Sequence, residues 1–308
     1  MQNVPNQSDH LRVHYKGLLF VFMAGVLWST VGLGIRLIQE ASVWQILFYR
    51  SISLSTFLFF VILIRSRENP LKLVVRAGAP AVVAGLSLMA AYSGGIYAIQ
   101  STSVANAMLL FASAPFFAAV LGSYVLKERV LAVTWVSIGI ALFGITVMVS
   151  DLTGGPEWSG SLAALGSAIG FSIFTVSLRW GKSNDMLPAV FLSGLFSIII
   201  TATICINLAL PLVLSVNDIS ISFGMGVFQV GAGLVFYTLG SKTLPAAELT
   251  LLSLAEVLLG PFWVWLFLGE MASSATALGG AILLFAIVGN AVYGTRKKRE
   301  KPLARISL

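Results

Sequence analysis

The 308-residue chain is 57% hydrophobic and only 10% charged, with a mean hydropathy of +0.93. A soluble chain carries roughly 25% charged residues to solvate its surface, and 19 basic plus 12 acidic side chains are too few to coat two ordinary domains. That excludes an ordinary soluble protein and points to an all-α polytopic membrane protein.

A polar segment from Met1 to Tyr15 opens the chain. Apolar runs follow at 17–38, 43–65, 77–98, 104–126, 131–150, 160–180, 187–212, 222–242, 246–268 and 274–294. Each is near the roughly 20 residues that cross a bilayer core. Lipid cannot hydrogen-bond a backbone, so each run is expected to be a helix, with Gly- or Pro-containing stretches buried in protein or lining a cavity. The first run is too long for a signal-peptide core and lacks a small-residue cleavage site. The lone Cys205 rules out a disulfide within one chain.

Ten spans put both termini on one side. If that side is the cytoplasm, 17 of the 19 basic residues face it, leaving Arg36 outside and Arg50 within the second span. The positive-inside rule predicts such a split, and it accounts for the basic pI without nucleic acid. The Arg296-Lys297-Lys298-Arg299 run reads as a topogenic cluster beside the last helix, within reach of anionic headgroups. His10 and His14 are four residues apart in a polar tail and are read as solvated rather than metal-binding.

Comparison of the chain with itself shows two related halves. At an offset of 143, Gly17 meets Gly160, Ser29 meets Ser172, Arg36 meets Arg179, and Trp28 lies opposite Phe171. At an offset of 142, Leu126, Glu128 and Thr134 meet Leu268, Glu270 and Thr276. The predicted organisation is a cytoplasmic tail (1–15), a first five-helix repeat (16–150), a second (159–295) and a basic cytoplasmic tail (296–308). An odd number of spans per repeat inverts the second relative to the first. Inverted repeats are a common transporter architecture, with the substrate site near the midplane between halves.

Several segments carry a family resemblance: Phe48-Tyr49-Arg50, Ser113-Ala114-Pro115-Phe116-Phe117-Ala118-Ala119 running to Leu126-Lys127-Glu128-Arg129, and Leu254-Ala255-Glu256 running to Leu266-Phe267-Leu268-Gly269-Glu270. In combination they resemble the drug/metabolite transporter superfamily, EamA-like branch, over nearly the whole chain. Val257 departs from the pattern where that family often has proline, and Pro261 comes four residues later. The resemblance implies a secondary transporter, often an exporter of amino acids or related metabolites, in a bacterial cytoplasmic membrane.

Glu256 stands near the middle of its run, where a carboxylate costs at least roughly 2.5 kcal/mol unless paired, solvated or protonated. Withdrawal from water favours the neutral carboxyl, which suits a proton carrier; a structural pair with a neighbouring helix is the alternative. Arg50 lies about seven residues into its run, roughly 10 Å of helix rise. It needs a carboxylate (Glu256 among them), a ring of carbonyls or a watery cavity. It either orients an anionic group of a substrate or fixes helix packing.

Asn106, Gln229, Asn207 and Asn290 are amides inside apolar runs, placed for substrate contact or for helix–helix hydrogen bonds. Trp28, Tyr92, Tyr97, Phe111, Phe171, Phe236, Tyr237 and Trp263 are aromatic candidates for a cavity lining, with Trp28 and Phe171 set apart by the repeat. Glu248 reads as an interfacial partner of Lys242, and Glu128 and Glu270 as caps of the helices that follow them. Ala114, Ala118 and Gly122, and likewise Gly166 and Gly170, form small faces suited to close helix approach.

No P-loop, zinc-protease helix motif or nucleophile elbow is present. No enzyme chemistry, cofactor or metal is expected. The predicted partners are a small-molecule substrate, the lipid bilayer and, as a coupling ion, the proton. A facilitative carrier or channel without proton coupling is the alternative reading.

Overall fold

The computed structural model describes residues 7–128, 130–150, 155–181, 185–241, 244 and 246–299. Among them the chain is helical without strands: α1 (Gln7–Ser29), α2 (Val31–Arg36), α3 (Val43–Ser66), α4 (Pro70–Ser101), α5 (Val104–Phe111), α6 (Ala114–Val125) and α7 (Ala132–Val149). Then come α8 (Pro156–Trp180), α9 (Leu187–Asn207), α10 (Val216–Gly224), a π-helical stretch (Met225–Ala232), α11 (Gly233–Ser241), α12 (Ala246–Leu268) and α13 (Ser274–Arg299). Nine helical stretches among the described residues are long and apolar enough to cross a membrane, and Ala255–Leu268 is a shorter apolar one.

Short polar punctuation between the apolar runs sets the helix ends. Side-chain oxygens of Asn69, Ser103, Ser215 and Ser273 accept from the N–H groups of Leu71, Asn106, Asp218 and Thr276 at 2.9–3.1 Å. Each satisfies a donor that the first helical turn leaves free.

Several runs are interrupted in ways the hydropathy pattern does not announce. Thr30 separates α1 from α2, with its hydroxyl and that of Ser29 turned back to the carbonyls of Leu27 and Val26 at 2.7 Å. Ala112 and Ser113 separate α5 from α6, whose second residue, Pro115, has no N–H to continue the ladder. Within α4, Gly78 adopts φ +64°, so 70–77 is set off from the span proper. The run containing Gln229 winds through a π-helix between α10 and α11, a geometry that recurs at functional sites. By contrast α12 continues unbroken through Pro261.

Helix α4 packs along α8 and α9, α7 along α13, α3 along α9, and α1 against α11 and α12. Small residues bring these backbones close. Gly144 and Gly279 face each other, and a Cβ on either would press on the other's carbonyl. A Cβ on Gly170 would lie 3.0 Å from the Ser87 carbonyl, and Ser167 Oγ donates to Ala91 O at 2.6 Å. Of the predicted small faces, Gly170 meets α4 while Gly166 looks into open space. Thr134 Oγ1 donates to Asn290 Oδ1 at 2.8 Å, so Asn290 is a packing residue. Asn207 is exposed at the end of α9.

Two apolar clusters form the interior. One holds Ile46, Leu47, Leu110, Met148 and Leu283; the other holds Leu54, Leu58, Leu88, Leu187 and Leu234. Tyr92 packs against both.

Loop contacts sort into two ends. At one, Gln39, Glu40 and Ala41 donate their N–H groups to the Asp218 carboxylate at 3.0–3.1 Å, and Arg36 meets Glu270. At the other, Arg65 lies 4.0 Å from Asp185, Arg179 pairs with Glu128, and Gly181 packs on Pro80. The His10 side chain, the Lys242–Glu248 pair and the side chains of the 296–299 basic run lie outside the described residues.

Candidate functional site

Where Tyr92 of α4 packs against both apolar clusters, it meets Arg50 of α3, with Glu256 of α12 within electrostatic reach of the ring. Arg50 is 2% exposed, and its guanidinium carbon lies 4.4 Å from the centroid of the Tyr92 ring. Its Nε and Nη2 have no hydrogen-bond partner. Enclosing a cation costs several kcal/mol after relaxation, while an aromatic face in a dry setting returns about 2 kcal/mol. Tyr92 therefore offsets only part of the cost of burying Arg50.

Glu256 makes no ion pair with Arg50 among the described residues. It stands on α12 beside α1, where a Cβ on Gly25 would lie 3.7 Å from the Glu256 N–H nitrogen. Tyr92 is within electrostatic reach of both Arg50 and Glu256. Tyr92 and Glu256 are both half-buried.

The backbone around Arg50 is held tightly. Ser53 Oγ donates to the carbonyls of Arg50 and of Phe223, each at 3.0 Å. Gly226 of the π-helical stretch presses on the same turn; a Cβ there would collide with Ser53 Oγ and the Arg50 carbonyl. Glycine at this position is a requirement of close approach. The same stretch carries Gln229, which is buried. Its Nε2 donates to Trp28 O at 3.5 Å, while its Oε1 has no donor.

Trp28 lies over Gly233, with its ring 5.3 Å from that of Tyr237. The next residue, Ser29, accepts from Trp263 Nε1 at 2.8 Å. Five sequence candidates thus gather around α1, α3 and α12: Arg50, Glu256, Trp28, Gln229 and Tyr92.

The others lie elsewhere. Asn106 donates to Thr102 Oγ1 at 3.1 Å and to Ser161 Oγ at 2.7 Å, which ties α5 to α8. Phe171 packs at a tilt between Phe111 and Phe174, with centroids 5.5 and 5.7 Å away. Tyr97 is 41% exposed and bonds Ser159 at 3.0 Å, in the manner of a helix-end anchor. An apolar cleft of about 360 Å³ between α5 and α12 is bordered by Glu270 and contains none of Arg50, Tyr92 and Glu256.

Glu128 and Glu270 do not cap the helices that follow them; α13 is capped by Ser273. Arg36 forks onto Glu270, with Nε to Oε2 at 2.8 Å and Nη2 to Oε1 at 3.2 Å, and reaches Thr102 O at 2.7 Å. Glu270 Oε1 also accepts the Val104 N–H at 2.7 Å, so it caps α5 instead. Glu128 pairs with Arg179. Both pairs connect residues far apart in the chain, and adjacency in sequence gave no hint of either.

Asp218 was not among the sequence candidates. It is fully buried and accepts three successive backbone N–H groups from 39–41. Its only prior signal was an acidic residue opening an apolar run.

Comparison with known proteins adds four likenesses. Residues 15–150 match the EamA-like transporter family. The chain is 26% identical over 276 residues to an uncharacterized transporter, YwfM, of Bacillus subtilis (strain 168), covering 88% of this chain and 92% of the relative. It is 23% identical over 222 residues to an uncharacterized transporter of Clostridium kluyveri, covering 68% and 70%. A solved crystal structure superposes with a TM-score of 0.65 at 19% identity, covering 92% of this chain and 99% of that one. At that identity the likeness speaks for the fold.

Proposed function

We propose, from the match of residues 15–150 to the EamA-like transporter family, that the chain is a secondary transporter. In this reading it exports a small metabolite by alternating access. Ten spans form two inverted five-helix units, 16–150 and 159–295, around Arg50, Tyr92 and Glu256.

The observation that carries the reading is how packing and ion pairs behave when the halves are exchanged. Count α1–α2 as one span, α5–α6 as one, and α10 through α11 as one, so that α12 is ninth and α13 tenth. Adding five to each member of the most extensively packed pairs then returns another packed pair, whereas smaller contacts such as second-on-third and fourth-on-tenth have no counterpart of similar extent. Third-on-sixth becomes eighth-on-first, third-on-seventh becomes eighth-on-second, and first-on-ninth becomes sixth-on-fourth. Second-on-seventh, fourth-on-ninth and fifth-on-tenth return to themselves.

The polar contacts follow the same exchange. Arg36 and Arg179 are repeat mates, as are Glu128 and Glu270, and each arginine pairs with the glutamate of the opposite half. The mates Ser29 and Ser172 likewise bond to the ninth and fourth spans. A two-fold relation between units of five spans lies in the membrane plane. It gives inward- and outward-open forms similar contacts and therefore similar energies.

The Arg179 end carries Arg65, Arg67, Lys72, Arg76 and Lys127 and is assigned to the cytoplasm, with both termini, in the cell membrane. Rocking of the halves opens one ion pair while the other stays closed. Trp28, Tyr92 and Tyr237 offer aromatic faces to an amphipathic solute such as an amino acid, and Glu256 carries the exchanged proton.

The test begins with an untargeted comparison of metabolites outside overexpressing and deleted cells, followed by flux of the enriched solute in proteoliposomes. Concentrative accumulation under a pH gradient is expected. Glu256→Gln should keep solute exchange and lose at least tenfold of the gradient-driven accumulation. A protein that only equilibrates the solute, or a Glu256→Gln variant with full accumulation, contradicts coupling. No flux of any enriched solute contradicts transport itself.

A further inference from the structure

We infer that Arg50 is the anchor for a carboxylate of the transported solute, held side-on by its Nε–H and Nη2–H. This deepens the transport reading and rests on it for the word "transported". Its physical basis is local.

Arg50 is 2% exposed, and the two donors without partners are Nε and Nη2. These two N–H groups point in parallel from one edge of the guanidinium. That edge matches the two oxygens of a carboxylate and is the fork arginine uses for bidentate recognition. A lysine would supply only a point charge. Among the described residues no carboxylate lies within ion-pair distance of Arg50, and the Tyr92 face, 4.4 Å from the guanidinium carbon, leaves the donors at the edge unused.

The group is also positioned rather than free. The Ser53 hydroxyl and the approach of Gly226 fix the Arg50 backbone, and the Tyr92 ring fixes the plane of its head. A site that holds a buried fork in place before the ligand arrives has already met much of the ordering cost of binding.

Two further groups define what else the solute carries. Glu256 shares the electrostatic field of Tyr92 with Arg50, and Gln229 Oε1 is an enclosed acceptor without a donor. Both accept hydrogen bonds, so the other pole of the solute is a donor group, cationic or neutral. A dianion such as phosphate is disfavoured, since one arginine faces it and Glu256 opposes it.

The test uses the purified full chain in nanodiscs and reads thermal stabilisation by matched solutes. L-leucine is compared with L-leucinamide, L-phenylalanine with L-phenylalaninamide, and inorganic phosphate serves as a third probe. At least one acid is expected to reach half-maximal stabilisation at a concentration at least tenfold below its amide. Arg50→Lys should reduce that preference at least fivefold, and Arg50→Gln should abolish it. If Arg50→Gln does not fold, Arg50→Lys, which keeps the charge and loses the fork, carries the test.

Equal stabilisation by acid and amide, no stabilisation by either acid, or stronger stabilisation by phosphate overturns the assignment. So does an acid preference that survives Arg50→Lys. Acid-selective binding without flux in proteoliposomes would overturn the transport reading alone, and flux without acid preference would overturn this inference alone.

Discussion

A carboxylate that accepts three consecutive backbone N–H groups does the work of a cap for a loop rather than for a helix. Asp218 ties the chain between α2 and α3 to the start of α10 through Gln39, Glu40 and Ala41. Hydrogen bonds to an ionised acceptor contribute about 1.5–3 kcal/mol each. Asp218→Asn keeps one acceptor oxygen and turns an amide donor toward another N–H. A loss of about 3 kcal/mol is therefore expected, read as a lower midpoint of thermal unfolding in detergent; an unchanged midpoint would mean that the loop is held by other contacts. Arg50, Glu256 and Gln229 were visible in the sequence because polar side chains inside apolar runs are costly. Tyr92 was visible only as one aromatic among eight, since nothing local distinguishes a ring that will lie under a guanidinium from one that anchors a helix end, as Tyr97 does. Asp218 escaped notice because its donors come from residues 177 to 179 positions away.

Among the elements, the spans were the most legible feature and their interruptions the least. Apolar run length reports span length directly, so the expected 43–65 run is observed as Val43–Ser66 and the 104–126 run as Val104–Val125. The break at Thr30 goes with hydroxyls turned back on the preceding turn, the gap between α5 and α6 with Pro115, and the π-helical stretch with close helix approach, none of which a one-dimensional hydropathy trace contains. Gly226 illustrates the cause: its missing side chain lets the π-helical stretch press on the turn that holds Arg50. Gly226→Ala is expected to displace that turn and to cost about 1–3 kcal/mol, the range for overpacking. Solute affinity should fall with it. Thermal unfolding and a solute titration measure the two effects, and an alanine tolerated on both counts would show that the contact has slack.

The two interhalf ion pairs also differ as elements. Arg36–Glu270 is about one-quarter exposed and belongs to a network that includes Thr102 O and the Val104 N–H. Arg179–Glu128 is 44% exposed on both sides. Exposed pairs contribute about 0.2–1 kcal/mol, whereas a charge-assisted bond inside a network contributes about 1.5–3 kcal/mol. Glu270→Gln should therefore lower the unfolding midpoint clearly more than Glu128→Gln, and raised salt should weaken only the Arg179–Glu128 pair appreciably. Equal midpoints for the two variants would contradict the distinction. Both glutamates recur in the repeat, but the sequence suggested caps because a cap needs only neighbours, while the pairing needs the fold.

At the scale of the whole molecule, the two ends are held by related contacts, Arg36–Glu270 at one and Arg179–Glu128 at the other. Exchange of the halves maps the extensive helix contacts onto one another and each ion pair onto the other, and the motion proposed on that basis closes one end while opening the other. The proposed inverted arrangement has its sequence counterpart in the offset of Arg36 to Arg179 and of Glu128 to Glu270. Its most direct test is a pair of spin-label distances across the two ends, in a Cys205→Ser background. One pair is Leu37→Cys with Met271→Cys, beside Arg36–Glu270; the other is Tyr124→Cys with Trp180→Cys, beside Glu128–Arg179. Alternating access predicts that solute or a change of pH lengthens one distance while shortening the other. Two distances that stay fixed under every condition, or that lengthen together, would contradict it.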